Sequence, residues 1–157
     1  MSELALLARV ADGLRALSTE MDRLDQAAAD LFGLNRTDMR ALDIVGRAGP
    51  LTPTDLARLL GFTTGGVTTV LDRLERAGYV RRTADTSDRR RLVVEDTAAS
   101  AARGQEVFGD LVRQTGELVA AYTDDQLQVI DDFLTRARQL TAAYAGTLSG
   151  RGSTASR

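Results

Sequence analysis

The chain is 157 residues long, about one domain's worth, and its 43% hydrophobic and 27% charged residues are those of a globular protein rather than a disordered or fibrous one. All 20 cations are arginine, and histidine, cysteine and tryptophan are absent, which removes zinc fingers, thiol and imidazole catalysis, thiol redox sensing and lysine-based phosphate or Schiff-base chemistry. The net charge of −2 hides a division: residues 1–35 hold 3 arginines and 6 acids, residues 36–94 hold 11 and 7, and residues 95–157 hold 6 and 9, so a basic centre lies between acidic flanks.

Leu4, Leu7, Val10, Leu14, Leu17, Met21, Leu24, Ala28 and Leu31 recur at alternating spacings of three and four, one apolar seam on a helix over about residues 3–32. Such a helix is roughly 45 Å long, so its seam needs other long helices or a second chain to cover it. Thr37 is placed to cap a helix running to about Arg47, which Gly49-Pro50 ends. Thr52-Pro53-Thr54-Asp55 then supplies a cap, a first-turn proline and an N3 carboxylate for a helix that stops at Gly61. Thr63 caps the next, whose Val67, Val70, Leu71 and Leu74 form a buried face and leave Thr64, Gly65, Gly66, Thr68, Thr69, Asp72 and Arg73 outward. Gly78 is its left-handed stop.

Beyond Gly78 the period changes from 3.6 to 2. Residues 79–83 and 91–95 are β-prone runs around a turn-rich stretch that carries Asp85, Asp88, Arg89 and Arg90, the pattern of a hairpin. Thr97 caps a further helix with Phe108, Leu111, Val112, Thr115, Leu118, Val119 and Tyr122 on one face. Thr123 to Gln126 is a capping-box pattern ahead of a last helix bearing Leu127, Ile130, Leu134, Ala137, Tyr144 and Leu148. The Gly/Ser/Thr/Arg composition of residues 149–157 predicts a disordered tail. No apolar run reaches about 18 residues and no basic-apolar leader opens the chain, so the expected location is the cytoplasm, away from membranes.

The fold class expected is mostly α with a small β-hairpin wing: a winged helix-turn-helix lobe over residues 36–97, a long N-terminal helix over 1–35 and further long helices over 98–148. Two short helices around Gly61, the second followed directly by a hairpin, suit that second helix to the DNA major groove. Gly65 and Gly66 each cost about 1 kcal/mol in a helix interior and less in a first turn. They either let backbone amides approach a phosphate or mark a slack helix start. The Asp/Arg loop is either a DNA-contacting wing or a solvated tip. Asp124, Asp125, Asp131 and Asp132 could suggest a Mg or Ca site or an acid/base pair, since spacings of seven put two on one helical face. The helix dipole explains Asp124 and Asp125 without a ligand, and no metal or cofactor is expected.

The stretch Leu56-Ala57-Arg58-Leu59-Leu60-Gly61, then Val67 through Arg82 (V-T-T-V-L-D-R-L-E-R-A-G-Y-V-R-R), then Asp88-Arg89-Arg90 resembles the multiple antibiotic resistance regulator (MarR) family over residues 37–97. The flanking long helices match that family's layout. The resemblance implies a homodimer built from the terminal helices, with Leu4, Leu7, Val10, Leu14, Leu127, Ile130, Leu134 and Tyr144 as expected contacts. It also implies a recognition helix in the major groove and a wing in the minor groove.

On that reading the DNA-binding set is Thr63, Thr64, Gly65, Gly66, Thr68, Thr69, Arg73, Arg81, Arg82, Arg89 and Arg90. The family's D-x-R wing motif falls on Asp88 and Arg90, with Arg90 in the minor groove, where a guanidinium suits the enhanced negative potential, and Asp88 orienting the wing. Two departures stand out: Thr69 where the family often has a basic residue, and Asp96-Thr97 in place of its usual Leu-Thr. The implied function is a sequence-specific regulator of double-stranded DNA without enzymatic activity, a repressor binding a pseudo-palindromic operator as a homodimer and released by a small-molecule effector whose site the sequence leaves unassigned. A winged-helix protein-interaction module without specific DNA binding is the alternative. An enzyme would be confined to carboxylate or hydroxyl chemistry.

Overall fold

The computed structural model describes residues 2–85 and 88–154. In chain order the elements are α1 (Glu3–Phe32), α2 (Arg36–Ala48), α3 (Pro53–Leu60), α4 (Thr64–Arg76), β1 (Val80–Ala84), β2 (Leu92–Asp96), α5 (Ala98–Val119) and α6 (Asp124–Thr154). This is the helix-rich, winged helix-turn-helix order expected, with a two-stranded antiparallel hairpin. The chain divides into two compact units, Met1–Val107 and Phe108–Arg157.

In the first unit local chemistry sets most helix starts. The Thr52 hydroxyl accepts the Asp55 N–H at 3.1 Å to open α3, and the Thr63 hydroxyl accepts the Gly66 N–H at 3.2 Å to open α4. Helix α2 begins earlier than expected. Its cap is Asn35, not Thr37, because the Asn35 amide both accepts the Asp38 N–H and donates to the Asp38 carboxylate, each at 2.9 Å. Gly61 turns the chain between α3 and α4 at φ 73°, where a side chain would be strained.

The core lies where α2, α3, α4 and the hairpin meet. Val45, Leu56, Val67, Leu74 and Val94 have essentially no exposed surface there. β1 and β2 pair with Val80 opposite Asp96, Arg82 opposite Val94 and Ala84 opposite Leu92, one residue later in each strand than the sequence pattern indicates. A further pairing went unread: Leu51, in the α2–α3 connection, exchanges two backbone hydrogen bonds with Val94 at 2.8 and 3.1 Å, so the hairpin is anchored to the helical part of the lobe.

Thr97 works in both directions, accepting the Ser100 N–H at 3.1 Å to start α5 and donating to the Gly78 carbonyl at 2.8 Å. Its neighbour Asp96, standing where the resemblance leads one to expect leucine, keeps its Oδ1 buried with no hydrogen-bond partner among the described residues. The end of α1 is held by the Tyr79 hydroxyl, which donates to the Phe32 carbonyl at 2.9 Å while the two rings pack 5.4 Å apart.

In the second unit the expected capping box is present. Thr123 N–H donates to the Gln126 side chain at 2.9 Å, and the Gln126 N–H returns to the Thr123 hydroxyl at 3.4 Å. α6 then runs to Thr154, which corrects the expectation of a disordered tail from Ser149. The helix spans Gly150 and Gly152 despite their low helix propensity, and residues 155–157 lie outside the described residues. A shallow hollow of about 390 Å³ beside Tyr122, Val129 and Ile130 lies at the α5–α6 turn. No helix among the described residues is long and apolar enough to cross a membrane.

Candidate nucleic-acid interface

Helix α4 presents two unlike faces. Val67, Val70, Leu71 and Leu74 are buried, and Thr63, Thr64, Gly65, Gly66, Thr68 and Thr69 are exposed at and beyond its N-terminus. The Thr68 hydroxyl donates to the Thr64 carbonyl at 3.1 Å and the Thr69 hydroxyl to the Gly65 carbonyl at 3.5 Å. Their lone pairs and methyl groups remain for an outside partner. The first turn of the helix also carries unpaired amide dipoles, which favour an anion.

The wing tip is organised by Asp88. Its carboxylate accepts the Arg90 N–H at 3.0 Å, and its carbonyl accepts the Arg91 N–H at 2.8 Å, a side-chain-stabilised turn. Asp85 N–H closes the hairpin on the Arg91 carbonyl at 2.8 Å. Arg89, Arg90 and Arg91 all stand exposed. Thr86 and Ser87 lie outside the described residues.

The arginines of this lobe fall into two groups. Six have carboxylate partners: Arg36 with Asp22, Arg47 with Asp43, Arg58 with Asp55, Arg73 with Asp38, Arg81 with Glu95, and Arg82 with both Asp72 and Glu75. Arg40, Arg76, Arg89, Arg90 and Arg91 form no ion pair among the described residues, and three of these five are consecutive at the wing tip. Of the five arginines expected to meet DNA, the structure therefore leaves Arg89 and Arg90 outward and unengaged and ties Arg73, Arg81 and Arg82 to acids of the lobe itself.

The Arg73 contact is a fork, with Nε on Asp38 Oδ2 at 2.7 Å and Nη2 on Oδ1 at 2.6 Å. Asp38's hydrogen bond raises the Arg73 pKa above its ordinary value, partly offset by desolvation, so the cation persists at any working pH. Asp55 is held below the usual carboxylate range, chiefly by the Thr52 hydroxyl donating to it at 2.6 Å; desolvation is the next largest effect and opposes this, and Arg58 adds a further lowering.

The expected dimer contacts are surface residues of this chain. Leu4 is 79% and Leu7 67% exposed, Val10 and Leu14 are also exposed, and along α1 only Ala28, Ala29 and Phe32 are buried. On α6, Ile130, Leu134 and Tyr144 are exposed and Leu127 is half-buried. No group of acids suited to hold a metal ion occurs among the described residues. Sequence reasoning missed Asp38, Leu51 and Arg91. Only Arg91 carried a local signal, as the third member of an arginine run.

The MarR family model matches residues 32–91, from the last turn of α1 to the wing. The HTH-type transcriptional regulator YcgE of Bacillus subtilis is 40% identical over 126 residues, 80% of this chain and 82% of that protein. The chain belongs to the MarR family. It is thus a MarR-family transcriptional regulator, and the family is one of regulators rather than enzymes. The multiple antibiotic resistance protein MarR of Escherichia coli is 25% identical over 126 residues, 78% of this chain and 86% of that one. The FabT structure from Streptococcus pneumoniae, solved in complex with DNA, shares the MarR fold with a TM-score of 0.62 at 23% identity, covering 87% of this chain and 97% of that chain.

Proposed function

We propose that this regulator is a cytoplasmic repressor that binds a pseudo-palindromic operator as a homodimer. Residues 36–97 form the DNA-binding lobe, and the helices over 1–35 and 98–148 form the dimer. The N-terminal face of α4, from Thr63 to Thr69, enters the major groove, Arg81 flanks it, and Arg89 and Arg90 at the wing enter the adjacent minor groove with Asp88 holding their turn. Two lobes joined by the terminal helices would meet half-sites about one helical turn apart. A small-molecule effector releases the DNA by preferring a lobe spacing that misfits it, a coupling of about 1–3 kcal/mol in typical systems.

The observation that carries this reading is the wing tip. Arg89, Arg90 and Arg91 stand exposed and without carboxylate partners among the described residues, although most arginines of the same lobe are paired. A cluster of three unpaired cations on a lobe in which six of the other eight arginines are paired suits a polyanion.

The test is an anisotropy titration of the purified protein on the duplex upstream of its own gene and on a scrambled duplex, across a salt series. Preference for the upstream duplex and a linear loss of affinity with the logarithm of salt concentration are expected. Arg90→Ala should weaken upstream binding roughly 10- to 100-fold while the melting temperature stays put. Equal affinity for both duplexes would overturn the operator-binding repressor reading in favour of a protein-docking winged helix.

A further inference from the structure

The fork between Arg73 and Asp38 joins residues 35 positions apart and bears on how α4 is aimed. Asp38 lies in the first turn of α2 and is 2% exposed. Its carboxylate receives Arg73 Nε and Nη2 and the Asn35 amide, and Asn35 in turn caps α2. The Arg73 side chain is 39% exposed, but two of its three guanidinium nitrogens are committed to that carboxylate. Swinging Arg73 out to a phosphate would strip a buried carboxylate of its counter-charge, an expensive state. The lobe also holds α4 through the apolar face of Val67, Val70, Leu71 and Leu74 and, farther along the helix, through Arg82 on Asp72 and Glu75. Apolar contact is non-directional, and the Arg82 pairs reach acids that are 47% and 40% exposed, so both define rotation about the helix axis less sharply than a pair on a buried carboxylate. A planar two-point ion pair fixes it.

We propose that Asp38 is a positioning residue for DNA reading: through Arg73 it sets the rotation of α4, and so the aim of Thr64, Thr68 and Thr69, while Arg73 itself touches no phosphate. This rests on the regulator reading above and replaces the sequence expectation that Arg73 belongs to the DNA-contacting set. The clamp discriminates between sequences without neutralising DNA charge, which separates it from an ordinary phosphate contact. A cation on a phosphate adds about 0.9 to the salt slope and helps all sequences alike. A misaimed helix loses the correct sequence only.

The experiment repeats the two-duplex salt series with Arg73→Lys, Arg73→Gln, Asp38→Asn and the double variant Asp38→Asn/Arg73→Gln, each titrated below its own melting transition. Arg73→Lys keeps the charge and loses the fork, and it serves where Arg73→Gln proves too unstable. Each single variant should lose at least about tenfold on the upstream duplex, the equivalent of one mismatched base pair, with scrambled-duplex affinity and salt slope unchanged. The double variant, which restores a neutral amide pair, should lose no more than the worse single. A slope smaller by about 0.9 in Arg73→Gln, with equal losses on both duplexes, would make Arg73 a phosphate contact and overturn the proposal. Unchanged upstream affinity in folded Arg73→Lys and Asp38→Asn would reduce the pair to a stabilising contact and overturn it too. If the unsubstituted protein shows no preference for the upstream duplex, the operator-binding repressor reading fails first, and the clamp's role falls with it.

Discussion

A β-carbon built on Gly65 would meet no atom within 4 Å, so nothing inside the chain demands glycine there, while alanine favours a helix by up to about 1 kcal/mol. Gly65→Ala should therefore raise the melting temperature by about 1–3 °C. If the bare backbone is kept for close approach to DNA, the same variant weakens binding to the upstream duplex; unchanged affinity would assign the glycine to a slack helix start. Asp55 makes a different single-residue case, because its pKa is lowered by the Thr52 hydroxyl and then by Arg58. A carboxylate depressed in the folded state contributes stability above its unfolded pKa, and that contribution is lost as pH falls through the lowered value. Asp55→Asn should thus melt below the parent at pH 7, with the gap closing below about pH 4, where even an unperturbed aspartate takes up its proton. A gap that stays constant from pH 7 to pH 3 would detach the effect from ionisation.

Elements decide what residues of one type do, and the neighbouring pair Arg81 and Arg82 shows it. Strand alternation puts them on opposite faces of β1. Arg82 shares the face of buried Val80 and turns back onto α4, with Asp72 at 2.6 Å and Glu75 at 2.5 Å, whereas Arg81 points outward and pairs across the hairpin with Glu95 at 2.8 Å. Arg82→Gln should accordingly lower the melting temperature and Arg81→Gln leave it nearly unchanged, since exposed pairs contribute little. Equal shifts in thermal melts would contradict this division. The parity was readable in the sequence once Val80 is taken as core, yet the order of residues alone groups both arginines with the DNA contacts. Helix caps at Thr52, Thr63, Thr97 and Thr123 were legible because a cap and its amide lie three residues apart. The start of α2 was misread because Asn35 and Thr37 offer the same chemistry, and the choice was made by the Asp38 carboxylate facing the Asn35 amide. The Leu51–Val94 pairing and the Asp38–Arg73 fork join distant positions, and nothing local announces either. The hairpin, the short helices and the arginine-rich tip depend on nearest neighbours, which is why the lobe was recognisable and its wiring was not.

For the whole molecule, a net charge of −2 says little about DNA, because the basic segment is central and much of its charge is cancelled by acids within the lobe. What remains uncancelled is concentrated at the wing. The acidic N-terminal flank carries a contrasting surface, a seam on α1 from Leu4 to Leu24 left open along most of a 30-residue helix. Contiguous apolar surface on that scale marks an interface rather than a solvated face. If a second copy covers it, DNA affinity and dimerisation are linked, because two lobes on one scaffold bind their half-sites with an effective concentration that a lone lobe lacks. Leu7→Glu combined with Leu14→Glu should then sediment as a monomer at micromolar concentration. Its lobe should keep its helical signal, since neither side chain belongs to the buried core of that unit. Affinity for the upstream duplex should fall by at least about 100-fold, and the salt slope should fall by about half, because only one lobe's cations are engaged. A dimer that survives both substitutions would move the interface off the N-terminal seam. A monomer with undiminished affinity and slope would mean that a single lobe makes all the DNA contacts.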